Sequence, residues 1–280
     1  MKLVRYGQVG QEKPGLLHGD TIRDLSGQID DIEGATLDRA TLDKLAALNP
    51  ADLPEVSSET RLGAPLNRVG KVICVGLNYS DHAEESGMPI PAEPVLFMKS
   101  TTSICGPFDD VIIPRDSTKL DWEVELGIVI GKTARYVEEK DALDYVAGYT
   151  VVNDVSERAF QIDGTGQWVK GKSNDTFCPF GPCITTTDEL VDPQVLDIWL
   201  EIDGERVQNG NTRTMIFSVA HIVSYISRHM TLEPGDLIPT GTPPGVGLGF
   251  KPPRFLKAGN VMKLGIAGIG DIQQTVVPFR

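Results

Sequence analysis

The stretch "LDWEVELGIVIG" (residues 120–131) reads as a β-strand running into a core, yet it carries three acids. Alternate residues of a strand share a face. The even positions Trp122, Val124, Leu126, Ile128 and Ile130 are all apolar, so that face belongs to a core. The odd face carries Asp121, Glu123 and Glu125 before it turns to Gly127 and Val129. Carboxylates at i and i+2 sit about 6.5–7 Å apart along a strand, close enough to converge on one hard divalent cation. A half-exposed strand with a wet face has the same pattern, and the strand alone does not choose. A second apolar strand, "VAGYTVVND" (146–154), ends in Asp154. A third carboxylate at a strand end completes a three-ligand oxygen site with room for substrate and water, suited to Mg2+ or Mn2+.

Around this pair the chain is strand-rich. "KVICVG", "PVLFMKS", "DVIIP", "LDIWLEIDG", "DLIPTG", "VMKLGIAGIG" and "IQQTVVPF" are apolar runs set off by Gly, Pro and Asp turns. One long helix is predicted over Thr214–Met230, with Ile216, Val219, Ala220, Val223 and Ile226 on one face and Arg228 and His229 in its last turn. Strands and helices do not alternate regularly, which disfavours a doubly wound parallel sheet and favours an α+β, mainly β fold, a mixed sandwich or roll. Residues 1–65 read as a small N-terminal α/β domain, with short strands at "KLVRYG" and "TIRDLS" and an amphipathic helix over 37–48; the rest, 66–280, is the main domain.

The 280 residues include 29 Gly and 19 Pro, a composition for loops and strands rather than a helical bundle. A net charge of −13 excludes a phosphate backbone or an anionic membrane surface as partner. The N-terminus lacks the apolar segment of an export signal, and no run of about 18 apolar residues is present. The four cysteines form no C-x-x-C pair, so they are expected to be free thiols of a cytoplasmic protein.

Three more polar islands interrupt apolar context. "GLNYSDHAEESG" (76–87) sets His82 and Glu85 at i, i+3 on one helical turn, where a carboxylate beside an imidazole suits a general base; a solvent-facing helix has the same pattern. "WVKGKSNDTFCPFGP" (168–182) carries Lys170 and Lys172, either of which would stabilise an oxyanion or simply face solvent. "PTGTPPGVGLG" (239–249) is neither a P-loop nor a dinucleotide fingerprint, but its amides and Thr242 suit a carboxylate; a plain tight loop reads alike. His18, His221 and His229 have no partner pattern, and no G-x-S-x-G nucleophile motif occurs.

Taken in order, these islands resemble the fumarylacetoacetate hydrolase family over roughly residues 70–250. The motifs are "GLNYSDHAEESG", "PVLFMKS", "DWEVELGIVIG", "AGYTVVNDVSERAFQ", "GKSNDTFCPFGP" and "PGDLIPTGTPPGVG". The resemblance implies a roll-like catalytic domain, a divalent metal (Mg2+ or Mn2+), a homodimer and a small dioxo acid as substrate. It implies Glu123, Glu125 and Asp154 as metal ligands, His82 and Glu85 as a dyad on a mobile lid, and Lys172 as the catalytic lysine. It implies substrate contacts at Tyr79, Arg158, Gln161 and Thr242, and no ligand role for Asp121. Relatives that cleave acylpyruvates or decarboxylate oxaloacetate often read G-R-N-Y where this chain has Gly76-Leu77-Asn78-Tyr79. The N-terminal pattern and "DVSERAFQ" look instead like the branch acting on 2,4-diketo-3-deoxy sugar acids such as the L-rhamnonate and fuconate derivatives. The implied activity is metal-dependent C–C hydrolysis of a 2,4-dioxo acid to pyruvate and a second acid. The alternatives are decarboxylation or keto–enol or double-bond isomerisation on the same site, a ureidoglycolate lyase, and a non-catalytic binding protein.

Overall fold

Strands with apolar residues on both faces must lie between two cores, and the central strands here do. The structure, a computed structural model, describes every residue except Ser86, Met88, Val191 and Arg280. Its strands are Lys2–Tyr6 (β1), Lys13–His18 (β2), Thr21–Asp24 (β3), Glu55–Val56 (β4), Val72–Gly76 (β5), Val95–Lys99 (β6), Val124–Ile130 (β7), Val146–Asn153 (β8), Cys178–Thr186 (β9), Asp197–Ile202 (β10), Glu205–Asn211 (β11), Leu237–Pro239 (β12), Val261–Ile266 (β13) and Gly270–Val277 (β14), besides several two-residue strands. The large sheet runs β4-β3-β2-β1-β9-β8-β7-β12-β5-β6. A smaller sheet runs β11-β10-β13-β14 and ends on Val111–Ile112.

The smaller sheet covers the face of the large sheet that bears the even residues of β7. Ile198, Leu200, Met262, Leu264 and Ile272 share one core with Val124, Leu126, Ile128 and Ile130. Val129, on the odd face, belongs to the other core, with Leu25, Ile32, Leu37 and Leu45 from the N-terminal segment. The wet-face reading of residues 120–130 therefore fails: every one of them is buried. The chain is mixed in class and mainly β, as expected.

The first 65 residues extend the large sheet. Lys2 and Leu3 pair with Thr185 and Ile184 of β9. Alternate residues of β1 enter different cores, Leu3 one and Val4 with Tyr6 the other. A boundary at residue 65 thus divides parts that share a sheet and both cores.

The sequence does not predict strand β9, "CPFGPCITT", because Pro179, Gly181 and Pro182 argue against a central strand. It is buried throughout, and its pairing with β8 shifts register between Tyr149 and Val151. The predicted helix at 214–230 starts later, at Val219, and ends at His229 (Val219–His229). Ser218 caps it by accepting from the His221 N–H, while the Ile216 and Phe217 N–H groups donate to Asn78 in the bend before it. Among the described residues no helix is long and apolar enough to cross a membrane.

Candidate functional site: a carboxylate cluster and an imidazole dyad on one cavity

Antiparallel pairing of β7 with β8 brings the acids together. Val124 faces Asn153, and the Asp154 N–H donates to the Glu123 carbonyl at 2.9 Å. Residues about thirty apart in sequence are therefore cross-strand neighbours at one end of the sheet. One carboxylate oxygen from each of Glu123, Glu125 and Asp154 lies within 4.8 Å of the other two. All three side chains are buried.

Buried charges must be compensated. Lys172, at the end of a four-residue helix, donates to Glu123 Oε2 at 2.8 Å and Asp154 Oδ2 at 2.7 Å. Lys99, the last residue of β6, donates to Asp154 Oδ1 at 2.5 Å and to the Val155 carbonyl at 3.1 Å. Arg158 reaches Glu123 Oε1 through Nη2 at 2.7 Å, Asp121 Oδ2 through Nε at 2.8 Å and Gln161 Oε1 through Nη1 at 3.0 Å. Four buried carboxylates thus face three buried cations, one positive charge short.

The shortfall falls on Glu125. Its carboxylate accepts from the Gly241 N–H at 2.8 Å, and among the described residues no Lys, Arg or His nitrogen lies within 4.0 Å of it. Burial, with Asp154 and Glu123 beside it, pushes its carboxyl well above the usual range. Burial would also raise Glu123, but Lys172 and Arg158 hold it well below that range. Burial would lower Lys172, yet Asp154 and Glu123 hold it above its ordinary value, so this lysine is a fixed cation and not a base.

A hard divalent cation fits these donors: three oxygen ligands on or next to the paired strands β7 and β8, one of them lacking a positive partner among the described residues. Binding would displace the Glu125 proton. We expect Mn2+ titrations in buffers of different ionisation heat to show proton release at neutral pH. Apparent affinity should weaken as pH falls, by at most about tenfold per unit for one proton. Affinity independent of pH would remove Glu125 from the ligand set.

The dyad faces the same space. Ser80–Glu85 is a short helix following β5, and His82 Nδ1 lies 3.0 Å from Glu85 Oε2. Glu85 also accepts from the Gly245 N–H at 3.1 Å. Burial would raise the Glu85 carboxyl, but the His82 and Gly245 contacts hold it below its ordinary value. His82, Glu85, Glu123, Glu125, Arg158, Gln161, Lys172 and Thr242 all line one cavity of about 800 Å³, whose apolar wall includes Phe97, Trp168, Leu248 and Phe250.

Tyr79 does not join them. It is wholly buried, its hydroxyl has no hydrogen-bond partner among the described residues, and it is not among the residues lining the cavity. Thr242 does line the cavity, but its hydroxyl donates to the Val124 carbonyl at 2.8 Å and accepts from Gln208 Nε2 at 2.8 Å. The Gly/Pro loop does hold carboxylates, and they are the chain's own: Gly241 takes Glu125, Gly245 takes Glu85, and Gly247 with Leu248 take Asp121. Lys170 is exposed. His221 lies 3.0 Å from Glu139, a partner 82 positions away. Lys99 is a site residue that the sequence motifs do not mark. Its signal was a lysine closing the apolar run "PVLFMKS", next to a strand that enters the core.

Comparison with known proteins accords with this geometry. Residues 71–277 match the family model described as fumarylacetoacetate (FAA) hydrolase C-terminal. A Burkholderia ambifaria protein whose name, "Putative hydrolase", specifies no substrate is 61% identical over 277 residues, covering 98% of each chain. The 2-hydroxyhepta-2,4-diene-1,7-dioate isomerase of Mycobacterium marinum superposes with a TM-score of 0.75 at 35% identity, over 99% of this chain and 98% of that one. Maleylpyruvate hydrolase of Sphingobium sp. SYK-6, solved with manganese(II) and pyruvate, superposes over 100% of both chains with a TM-score of 0.84 at 28% identity.

Proposed function

The chain belongs to the fumarylacetoacetate hydrolase family, and from this premise we propose that it is a Mg2+- or Mn2+-dependent hydrolase of a 2,4-dioxo acid, releasing pyruvate and a second carboxylic acid. The observation that carries the reading is that a buried three-carboxylate cluster, through Glu123 and Glu125, and an imidazole–carboxylate dyad open onto one cavity. A cation held by Glu123, Glu125 and Asp154 would supply Lewis acidity at the C1 carboxylate and C2 oxygen of the substrate.

The remaining steps belong to side chains. Glu85 at Nδ1 selects the His82 tautomer whose free Nε2 takes a proton from water. The water oxygen adds to C4. Lys172 spends two of its three N–H bonds on Glu123 and Asp154, and the third is left for the oxygen that becomes negative at C4. The C3–C4 bond breaks, C3 keeps the electron pair, and protonation there gives pyruvate. Arg158 is locked between Asp121 and Glu123, so its part is to hold Glu123 while Gln161 faces the substrate.

Within this class we propose a 2,4-diketo-3-deoxy sugar acid, the L-rhamnonate derivative first. Leu77, in place of the arginine of G-R-N-Y relatives, lines the cavity and removes a cation from its wall. The proposal includes a homodimer and a cytoplasmic location, in keeping with three wholly buried free cysteines. The test is pyruvate release from dioxo sugar acids, acylpyruvates and oxaloacetate, with Mg2+ and with Mn2+; release from none of them rejects the hydrolase.

An isomerase acting through the same enolate is the second reading, favoured by the likeness to the M. marinum isomerase. Isomerisation needs no attacking water. His82→Asn is expected to lower hydrolytic kcat by about 10²–10⁴-fold. Its Mn2+ affinity should hold, since the imidazole contacts none of the three carboxylates among the described residues. A variant that keeps wild-type turnover speaks for the isomerase.

A further inference from the structure

Asp121 ends the two-residue strand Leu120–Asp121, two positions before Glu123, and takes no part in the cluster. Its carboxylate is already full. Oδ1 accepts from Trp122 N–H at 2.8 Å and Gly247 N–H at 2.6 Å; Oδ2 accepts from Arg158 Nε at 2.8 Å and Leu248 N–H at 3.0 Å. Four donors use the roughly four lone-pair sites of a carboxylate, leaving none for a cation.

The partners lead in two directions. On one side Arg158 is a planar fork whose Nη2 grips Glu123 at 2.7 Å, so Asp121 sets the plane from which a metal ligand is held. On the other side lies the loop over the dyad. Gly245 N–H donates to Glu85, and the Gly245 carbonyl accepts from Trp122 Nε1 at 3.0 Å. Gly247 has no room for a side chain: a Cβ there would lie 2.7 Å from Asp121 Oδ1 and 2.0 Å from the Arg254 carbonyl. Contacts run without a break from Glu123 through Arg158 and Asp121 to Gly247 and Leu248, and along the loop to Gly245, Glu85 and His82.

We propose that Asp121 is a positioning residue that couples the carboxylate cluster to the 245–248 loop, so that filling the metal site tightens the loop holding the acid–base dyad. The inference rests on the metal reading above. Such coupling is reciprocal. In the wild-type protein, Mn2+ alone is expected to slow hydrogen–deuterium exchange of the peptide spanning 244–251 by about tenfold. Asp121→Asn turns Oδ2 into a donor facing two other donors. That variant should bind Mn2+ about tenfold more weakly and, once saturated, show no slowing in the loop.

A folded Asp121→Asn protein that keeps both the wild-type Mn2+ affinity and the slowing overturns the proposal. If that variant does not fold, Leu248→Pro removes a loop donor without touching Asp121, with Leu248→Ala controlling for the lost side chain. The slowing should vanish in the first and persist in the second, and its survival in Leu248→Pro is the contrary result. A wild-type protein that binds Mn2+ with no change in the loop sinks the positioning role alone. One that binds no Mn2+ removes the metal reading and this inference together.

Discussion

Glu125→Gln is expected to abolish turnover and, at the same time, to stabilise the metal-free protein. The two effects share one cause. Glu125 is buried with two other carboxylates and no cation within 4.0 Å among the described residues, so its charge is tolerated only when a metal answers it. Its folded-state carboxyl lies well above the ordinary value of 4.5. A group raised in this way favours the folded state below its unfolded pKa, and that contribution is lost as pH climbs towards the folded pKa. Glutamine carries no such pH dependence and still accepts from the Gly241 N–H. In EDTA, the variant should match wild type near pH 4.5 and gain as pH rises, by about 1–3 kcal/mol at neutral pH. Paired chemical denaturation curves at several pH values measure this, and Mn2+ titration shows the lost ligand. A variant less stable than wild type in EDTA at neutral pH contradicts the assignment.

Asp154→Asn is expected to act in the opposite direction on stability. Asp154 answers both Lys99 at 2.5 Å and Lys172 at 2.7 Å, and all three side chains are almost wholly buried. Lys172 would keep Glu123, but Lys99 would keep only the Val155 carbonyl. An ammonium left buried without its counter-charge costs about 3–5 kcal/mol. Lys99→Met in the same chain should restore part of the loss, because an apolar side chain of similar length replaces the orphaned charge. Strict additivity of the two substitutions in urea denaturation, or an Asp154→Asn protein as stable as wild type, contradicts this account. Glu125 and Asp154, two carboxylates of one cluster, thus differ in sign when each is neutralised.

The candidate site was legible where chemistry follows strand parity. Glu123 and Glu125 on an apolar strand, Asp154 at the end of another, and His82 and Glu85 at helical i, i+3 spacing nominate the cluster and the dyad; local pattern leaves a solvent-facing alternative for each, and the family resemblance favours the site. Tyr79 shows the limit. It stands three residues from His82, yet its side chain is buried away from the cavity wall. Lys99 shows the converse: its apolar neighbours announce a strand, and nothing nearby announces the aspartate 55 positions on that it meets. Strand β9 was hidden for another reason, since Pro and Gly are penalised in a central strand and the register shift that accommodates them is set by β8.

The amino-acid sequence by itself determined that the core strands are apolar on alternate positions and that three carboxylates stand at strand ends. Those are properties of neighbours along the chain, and backbone geometry alone converts spacing into facing. Tertiary structure decided which charge answers which. The β7–β8 register set Asp154 beside Glu123, the path of the 239–249 loop gave its amides to the chain's own carboxylates, and Arg158 took up Asp121. Among the described residues Glu125 remained without a cation. Charge balance in a buried site depends on distances of a few ångströms between segments remote in sequence, and those distances exist once the sheets have packed.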